Sequence, residues 1–547
     1  MPTGGELIVQ CLAAQGVDRV FCVPGESYLP VLDALHDAAI ETVVARQEGG
    51  AAMMAEADGK MTGRPGVCLV TRGPGATNAA SGVHVAKQDS TPLILLVGQI
   101  ARAMRGREAF QEVEYRQTFG DLAKWVEEID RAERIPEVLS HAFAVATSGR
   151  PGPVVLALPE DMLSETAEAA PGPRVASAEP APAPGAAARA AEMLAAAERP
   201  IVVAGGSRWD DAAIAALARF GEQWDLPVGC SFRRQRLFDH LHPCYAGDIG
   251  LGINPALRTR LAESDLLLLL GARFSENPSQ NFSLLGMPDP GKALIHVHPG
   301  PEELGRIYAP TLAVNATPGA FLAALEAHAP PGPPTGRGEA AHAAYRAWTD
   351  RPPESPGRVD MGAVVAHLRE AAPEAVICNG AGNYAIWLHR FWRYRDPGAQ
   401  LAPTSGSMGY GLPAAIAAKL RRPEREVLCV AGDGCLQMTL QELGTAAQAG
   451  AAIRVIVADN ASYGTIRMHQ ERRYPGRVSA TTLRNPDFAA IARAYGFHAE
   501  TVEATGAFPA AFARARAADG PALLHLKTDV EAITPATTLS AIRGAGG

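Results

Sequence analysis

One grammar is written three times along this chain: a short run of Val, Ile and Leu, a turn containing glycine, then an Ala/Leu-rich helical stretch. Runs that are apolar throughout, rather than alternating, suit strands covered on both faces, and a strand–helix–strand order predicts parallel pairing. The first third carries such runs at 19–23, 42–45, 67–71, 93–97 and 154–158. The second carries them at 201–204, 226–230, 265–270 and 294–297, and the third at 375–378, 427–430, 453–458 and 523–526. Two stretches break the pattern: Ser164 to Ala188, dense in Ala, Pro and Glu, and His328 to Glu339, which contains PPGPPTGRG. Such composition builds no packed core and bridges domains. The expected architecture is α/β, with three doubly wound parallel-sheet domains at 1–165, 186–330 and 345–535. In such sheets, ligands bind in the loops beyond the carboxyl ends of strands.

Composition removes several classes of function. The 547 residues hold 50 basic and 58 acidic side chains, a net charge of −8, with no basic run, so a nucleic-acid surface is not expected. The longest apolar runs, such as Leu266 to Leu270, are too short to cross a bilayer, and the first residues carry no basic stretch ahead of an apolar one. Eight cysteines without a CxxC pair make no disulfide framework and suit a reducing compartment. The chain is expected to be cytoplasmic, with no membrane partner.

The segment VLCVAGDGCLQMTLQELGTAAQAGAAIRVIVADNASYG is the most informative. The strand 427–430 runs into Ala431-Gly432-Asp433-Gly434, a helix is expected from about Leu436 to Ala449, and the next strand ends in Asp459-Asn460. If the two strands are neighbours, Asp433 and Asn460 offer a carboxylate and an amide oxygen to one hard cation, for which magnesium is the natural choice. Gly432 and Gly434 allow backbone N–H groups to approach a diphosphate at a helix N-terminus. A plain strand-to-helix turn capped by Asp is the alternative. The segment resembles the thiamin-diphosphate-binding motif, in which GDG is followed, one helix and one strand later, by Asn. The resemblance implies magnesium held by Asp433, Asn460 and the carbonyl of Ser462. The family often has two Asn at the end of the motif; here the first is Asp459.

Other stretches agree. Strand 42–45 runs into Arg46-Gln47-Glu48-Gly49-Gly50, so Glu48 opens a helix, where an acidic residue is favoured by the dipole alone. The run RQEGGAAMMAEADGKMTGRPGVCLVTRGPGATN resembles the pyrimidine-domain signature of the same superfamily, which implies that Glu48 is the catalytic carboxylate that activates the cofactor through its ring nitrogen. That family usually has His at the place of Gln47. Gly73, in GPGATN after strand 67–71, permits close backbone approach to the site or simply a tight helix entry. TSGSMGYGLPAAIAAK resembles the stretch before GDG in acetolactate synthases and related decarboxylases. There the Gly406 carbonyl would accept from the cofactor's amino group and Met408 would prop the cofactor into a bent shape; without the family, Met408 reads as a core methionine.

The resemblance covers residues 4 to 530 in the order pyrimidine-binding, middle, diphosphate-binding. Gly98-Gln99 followed by Ala109-Phe110-Gln111-Glu112 resembles the GQ…AFQE run of acetolactate synthases, which implies that Gln111 reaches the reaction centre; a surface turn is the other reading. His469 stands where those enzymes carry Trp, and GAGNYAIWLHRFWRYR at 380–395 departs from their GQHQMW-type run. His389 and His469 are candidate proton shuttles. Anabolic members also bind FAD in the middle domain; Gly271-Ala272-Arg273-Phe274 resembles their turn, whereas Ser275-Glu276-Asn277, His298 and Gly300 depart from it, so FAD is possible and not favoured. The function implied is thiamin-diphosphate-dependent decarboxylation and carboligation of 2-oxo acids, as in making 2-acetolactate and CO2 from two pyruvates. A related lyase or carboligase using aldehydes, aromatic 2-oxo acids or acyl-CoA, and a catalytically inactive binding protein, are the alternatives. Glu48 and Asp433 fall in different domains, which in relatives meet from two subunits, so the resemblance implies a homodimer or homotetramer with sites at the interface.

Overall fold

Strands buried on both faces need helices above and below, and the computed structural model, which describes residues 1–330 and 332–545, arranges the chain as three such layered units. The first sheet holds β1 (Arg19–Cys22), β2 (Glu41–Val44), β3 (Gly66–Val70), β4 (Leu93–Gln99), β5 (Trp125–Glu128) and β6 (Pro153–Pro159), in the order β2-β1-β3-β4-β6-β5. The second holds β7 (Pro200–Ala204), β8 (Val228–Ser231), β9 (Tyr245–Ile249), β10 (Leu266–Leu270), β11 (Ala293–His298) and β12 (Leu312–Asn315), in the order β12-β11-β10-β7-β8-β9. The third holds β13 (Val376–Asn379), β14 (Gln400–Leu401), β15 (Val427–Gly432), β16 (Arg454–Asp459), β17 (His498–Val502) and β18 (Ala522–Lys527), in the order β14-β13-β15-β16-β18-β17. Every pairing between these strands is parallel.

Every apolar run picked from the sequence is a strand. Those not anticipated, β5, β9, β12, β14 and β17, all lie at sheet edges. An edge strand has one open side and needs no continuous apolar run: all of β5 is only half-buried, β9 is interrupted by Gly247 and Asp248, and β14 spans two residues. The Pro-rich stretch from 167 to 185 carries neither helix nor strand. It is nevertheless tied down: Ala167 N–H donates to the Pro2 carbonyl at 3.0 Å, Gln15 Nε2 to the Pro173 carbonyl at 3.0 Å and Thr317 N–H to the Pro180 carbonyl at 3.0 Å. After the second linker, the helix Arg337–Thr349 puts Tyr345 into the middle core, and the buried core of the third unit begins at Val359. Tyr345 therefore packs with the middle domain, while the Trp348 carbonyl and Thr349 Oγ1 accept from Arg390 and Arg393 of the third domain.

The first and third domains share one hydrophobic core. The helix Glu48–Thr62 is buried continuously from Gly49 to Gly59, and the helix Gly411–Arg421 from Gly411 to Ala418. Helices buried on all sides must be built of small or apolar residues, and their Gly and Ala content lets backbones approach closely: a Cβ on Gly82 would come within 2.4 Å of Ala52 Cβ. Into this core is set a buried polar group. Lys60 Nζ lies 3.0 Å from Glu56 Oε1 and also bonds Asp89, while the Tyr410 hydroxyl donates to Glu56 Oε2 at 2.6 Å. Thr404 N–H donates to Asp89 Oδ1 at 2.7 Å, and Arg234 of the middle domain donates to the Asp89 carbonyl at 2.8 Å, so all three domains meet here. Removing the one cation of the Glu56–Lys60–Asp89 group leaves two buried carboxylates without their partner. Lys60→Met is expected to cost about 3–5 kcal/mol of stability, read as a lower Tm in scanning calorimetry; an unchanged Tm would show that the junction does not depend on this group.

Candidate active site

At the carboxyl ends of β13, β15 and β16 the third sheet encloses a groove of about 260 Å³, beside the point where its strand order reverses. Each of these strands feeds a helix whose first turn lines the groove. Strand β13 leads into Tyr384–Phe391, β15 directly into Asp433–Gln437, and β16 into Gly464–Arg473. Three helix N-termini thus turn positive dipole ends on one volume, which favours a bound anion. The helix expected over 436–449 is instead broken: it starts at Asp433, stops at Gln437, passes through a 3₁₀ turn at Leu440–Glu442 and resumes at Leu443–Gln448. The break answers tertiary contacts, since Thr439 Oγ1 donates to the Gly409 carbonyl at 2.7 Å and Glu442 accepts from Arg46 N–H of the first domain at 3.2 Å.

The GDG glycines serve packing as well as approach. A Cβ on Gly432 would come within 2.8 Å of Tyr384 Cδ1, and one on Gly434 within 2.7 Å of Tyr463 Cε1. Neither tyrosine was singled out from the sequence, because the contact joins loops that are distant along the chain. Asp433, Asn460 and Ser462 are brought together: Ser462 N–H donates to Asp433 Oδ2 at 3.2 Å and to Asn460 Oδ1 at 3.1 Å. Ala461 between them has φ +53°, the sharp turn that brings Ser462 back towards Asp433. Asn485, also missed, donates through Nδ2 to Asp433 Oδ2 at 2.7 Å. Burial pushes the Asp433 carboxyl up to about 6, with the neighbouring Asp459 adding to it and the Asn485 bond opposing. Asp459 is held well below the usual carboxylate range, because bonds from His525, Lys527 and Asn485 outweigh its burial.

One carboxylate, one amide oxygen and one backbone carbonyl form a donor set that suits magnesium when phosphate oxygens complete the shell. Among the described residues no group of three His, Cys, Asp or Glu side chains is placed to hold a metal, and a magnesium site of this kind needs none. Gly406 and Met408 line the same groove; Gly406 has φ +69° with open space where a Cβ would stand.

Glu48, Gly73 and Gln111 form a second group on the first domain. Glu48 opens its helix and accepts from Asn78 Nδ2 at 2.9 Å through Oε2. Gln47 caps that helix, its Oε1 accepting from Gly50 N–H at 3.1 Å, so the residue that departs from the family's His has a local structural task. Gly73 has φ +60°, and a Cβ there would lie 2.8 Å from Gln111 Cβ. That contact, more than a ligand, requires glycine. None of the three lines the groove within one chain, whose walls come from the third domain alone. His469 is exposed on its helix, and His389 is buried among residues facing the middle domain, its ring 6.0 Å from Phe232; neither lines the groove.

In the middle sheet the strand order reverses between β7 and β10, and the turns after β7, β8 and β10 border two crevices, one lined by Ser231, Arg234 and Arg273 and one of about 730 Å³ lined by Ser207, Arg208 and Trp209. The turns there touch: Ala204 bridges Gly271, and a Cβ on Gly206 would lie 2.0 Å from the Gly271 carbonyl oxygen. The Trp209 indole donates to the Gly205 carbonyl at 2.8 Å. His298, where an acid would suit a ribose hydroxyl, is buried and accepts from Gly300 N–H at 3.0 Å. His298 thus offers no acid to a ribose hydroxyl at that position.

Comparison with known proteins agrees with the order of domains. Residues 2–118 match the N-terminal TPP binding domain of thiamine pyrophosphate enzymes, 187–325 their central domain and 380–526 their C-terminal TPP binding domain. The chain is 31% identical over 534 residues to acetolactate synthase isozyme 2 large subunit of Escherichia coli, covering 96% of this chain and 95% of that protein. It is 32% identical over 544 residues to the isozyme 1 large subunit of the same organism (97% and 94%), and 33% identical over 516 residues to acetolactate synthase of Mycobacterium bovis (90% and 82%). With three domain matches in sequence and relatives aligned along nearly its whole length, the chain belongs to the thiamine pyrophosphate enzymes, among their acetolactate synthase-like members.

Proposed function

We propose that the protein is a thiamin-diphosphate- and magnesium-dependent carboligase that decarboxylates pyruvate and joins the remaining two-carbon unit to a second pyruvate, giving 2-acetolactate and CO2. The observation that carries this reading is the groove itself: three helix N-termini and the oxygens of Asp433, Asn460 and Ser462 face the volume that Gly406 and Met408 also line. Asp433, Asn460 and the Ser462 carbonyl would hold the cation, and the N–H groups around Gly432 and Gly434 the diphosphate. Bound thiamin diphosphate supplies a carbon nucleophile and an electron sink for decarboxylation. Glu48 carries the proton exchange with the cofactor ring, with Oε1 available because Oε2 is engaged by Asn78. Gln111, placed against Gly73, orients the reacting carboxylate, and apolar Trp387, Ile466 and Ile533 along the groove limit water.

The two groups of residues are completed by a second copy of the chain. The Glu48 helix is locked into the core it shares with its own third domain, and Glu442 of that domain grips the helix entry at Arg46. In a homodimer, or a tetramer of such dimers, each Glu48 would serve the groove of its neighbour. The net charge, the eight free cysteines and the absence of a membrane-crossing helix among the described residues support action in the cytoplasm on small 2-oxo acids, with no nucleic-acid or membrane partner.

With pyruvate, magnesium and thiamin diphosphate, 2-acetolactate is the expected product by chromatography. No consumption of pyruvate while another 2-oxo acid or aldehyde turns over would replace this substrate assignment with a related lyase or carboligase. Glu48→Gln is expected to lower kcat/KM by about 10²–10⁴-fold with the fold intact by circular dichroism; full activity would remove Glu48 from the chemistry. Co-expression of Glu48→Gln chains with Asp433→Asn chains, each inactive alone, is expected to restore about a quarter of wild-type activity through mixed dimers holding one intact site. Failure of mixed oligomers to recover activity would show that each site is built within one chain.

A further inference from the structure

Behind Asp433 the chain buries a second carboxylate. Asp459 ends β16 in register with Lys527 at the end of β18, and 5% of its surface is exposed. Its Oδ2 accepts from Lys527 Nζ at 2.8 Å and lies 2.7 Å from His525 Nε2, while Oδ1 accepts from Ala461 N–H at 3.0 Å. Two neighbouring carboxylates repel, and burial raises the cost. Asn485 stands between them. Its Nδ2 donates to Asp433 Oδ2 and to Asp459 Oδ1, both at 2.7 Å, and its Oδ1 accepts from Gln437 Nε2 at 3.0 Å. An amide whose oxygen meets a donor and whose nitrogen meets two acceptors is fixed in one sense, with one N–H for each carboxylate.

The arrangement acts on the geometry of Asp433 and of the loop after β16. With Oδ2 engaged by Asn485 and by Ser462 N–H, the Asp433 carboxylate is held in one orientation and Oδ1 carries neither bond. The Asp459 bond to Ala461 N–H holds the residue at φ +53° on which the placing of Asn460 and Ser462 depends. Lys527 supplies the positive charge that lets Asp459 sit here as a carboxylate.

We propose that Asn485, backed by the Asp459–His525–Lys527 group, is a positioning residue that sets the affinity of the cation-and-diphosphate site by locking the orientation of Asp433. This rests on the reading of Asp433 as a cation ligand. The test uses the full-length protein with thiamin diphosphate at fixed concentration, and reads the magnesium concentration at half-saturation from tryptophan fluorescence, alongside the Tm of the cofactor-free protein. Asn485→Ala is expected to raise the magnesium midpoint about 10–100-fold, as loss of a partner behind a metal ligand does. Lys527→Met, at a half-exposed position, is expected to raise it several-fold by the same route, and Lys527→Arg to restore it. A merely structural role would lower the cofactor-free Tm and leave the midpoint in place. Midpoints within about twofold of the unmodified protein overturn the proposal; if Asn485→Ala does not fold, the Lys527→Met midpoint decides alone. Asp433→Asn separates the two levels: magnesium dependence unchanged in that variant overturns the cation reading, whereas loss there with no effect of Asn485→Ala overturns only the positioning role.

Discussion

The contact on which the rest of this molecule depends is the packing of the Glu48–Thr62 helix against the Gly411–Arg421 helix. Both are buried nearly all round, so their small residues are a condition of the two backbones lying close. The result is a single core shared by domains far apart in the chain. Ionic contacts reinforce it: Arg421 Nε donates to Asp58 Oδ1 at 2.7 Å and its Nη1 to Asp18 Oδ2 at 2.8 Å, across the same junction. A rigid junction of this kind fixes where Glu48 stands, and Glu48 does not line the groove of its own chain.

The groove draws its chemistry from backbone as much as from side chains. Three helix N-termini supply positive potential without any lysine or arginine lining the groove. The anion binding proposed there needs no long side chain to be ordered on binding, and Asp433, the one acidic residue proposed to hold the cation, is kept in place by neutral donors. The same economy explains the glycines: Tyr384 and Tyr463 fill the space where side chains at 432 and 434 would stand, which leaves the strand-to-helix turn open only on its groove side.

The middle domain has a different use for the same kind of sheet. The turns at its switch point touch, Ala204 bridging Gly271, and its arginines reach across to the other domains, Arg234 to the Asp89 carbonyl and Arg233 to the Pro403 carbonyl beside the Gly406 loop. It behaves as a brace for the other two domains, which accords with His298 bonding to its own turn in place of an acid facing a ligand.

Much of this was legible in the sequence because it depends on neighbours along the chain. Continuous Val, Ile and Leu runs marked the central strands, glycine-bearing turns marked the carboxyl ends of strands, and Asp433 and Asn460 follow strands that proved adjacent. Five of the six edge strands were not legible, since a strand open on one side need carry no continuous apolar signal. Nor was the break in the helix after Asp433, which Thr439 and Glu442 impose through contacts with Gly409 and Arg46. Asn485 looks like any polar residue before a proline until the fold sets it between Asp433 and Asp459. Local pattern thus determined the three domains and the residues proposed to meet a cation and a diphosphate. Which of them share a groove, which way Glu48 points and what holds Asp433 still were decided only by tertiary packing, because those relations join atoms that no local rule of sequence brings together.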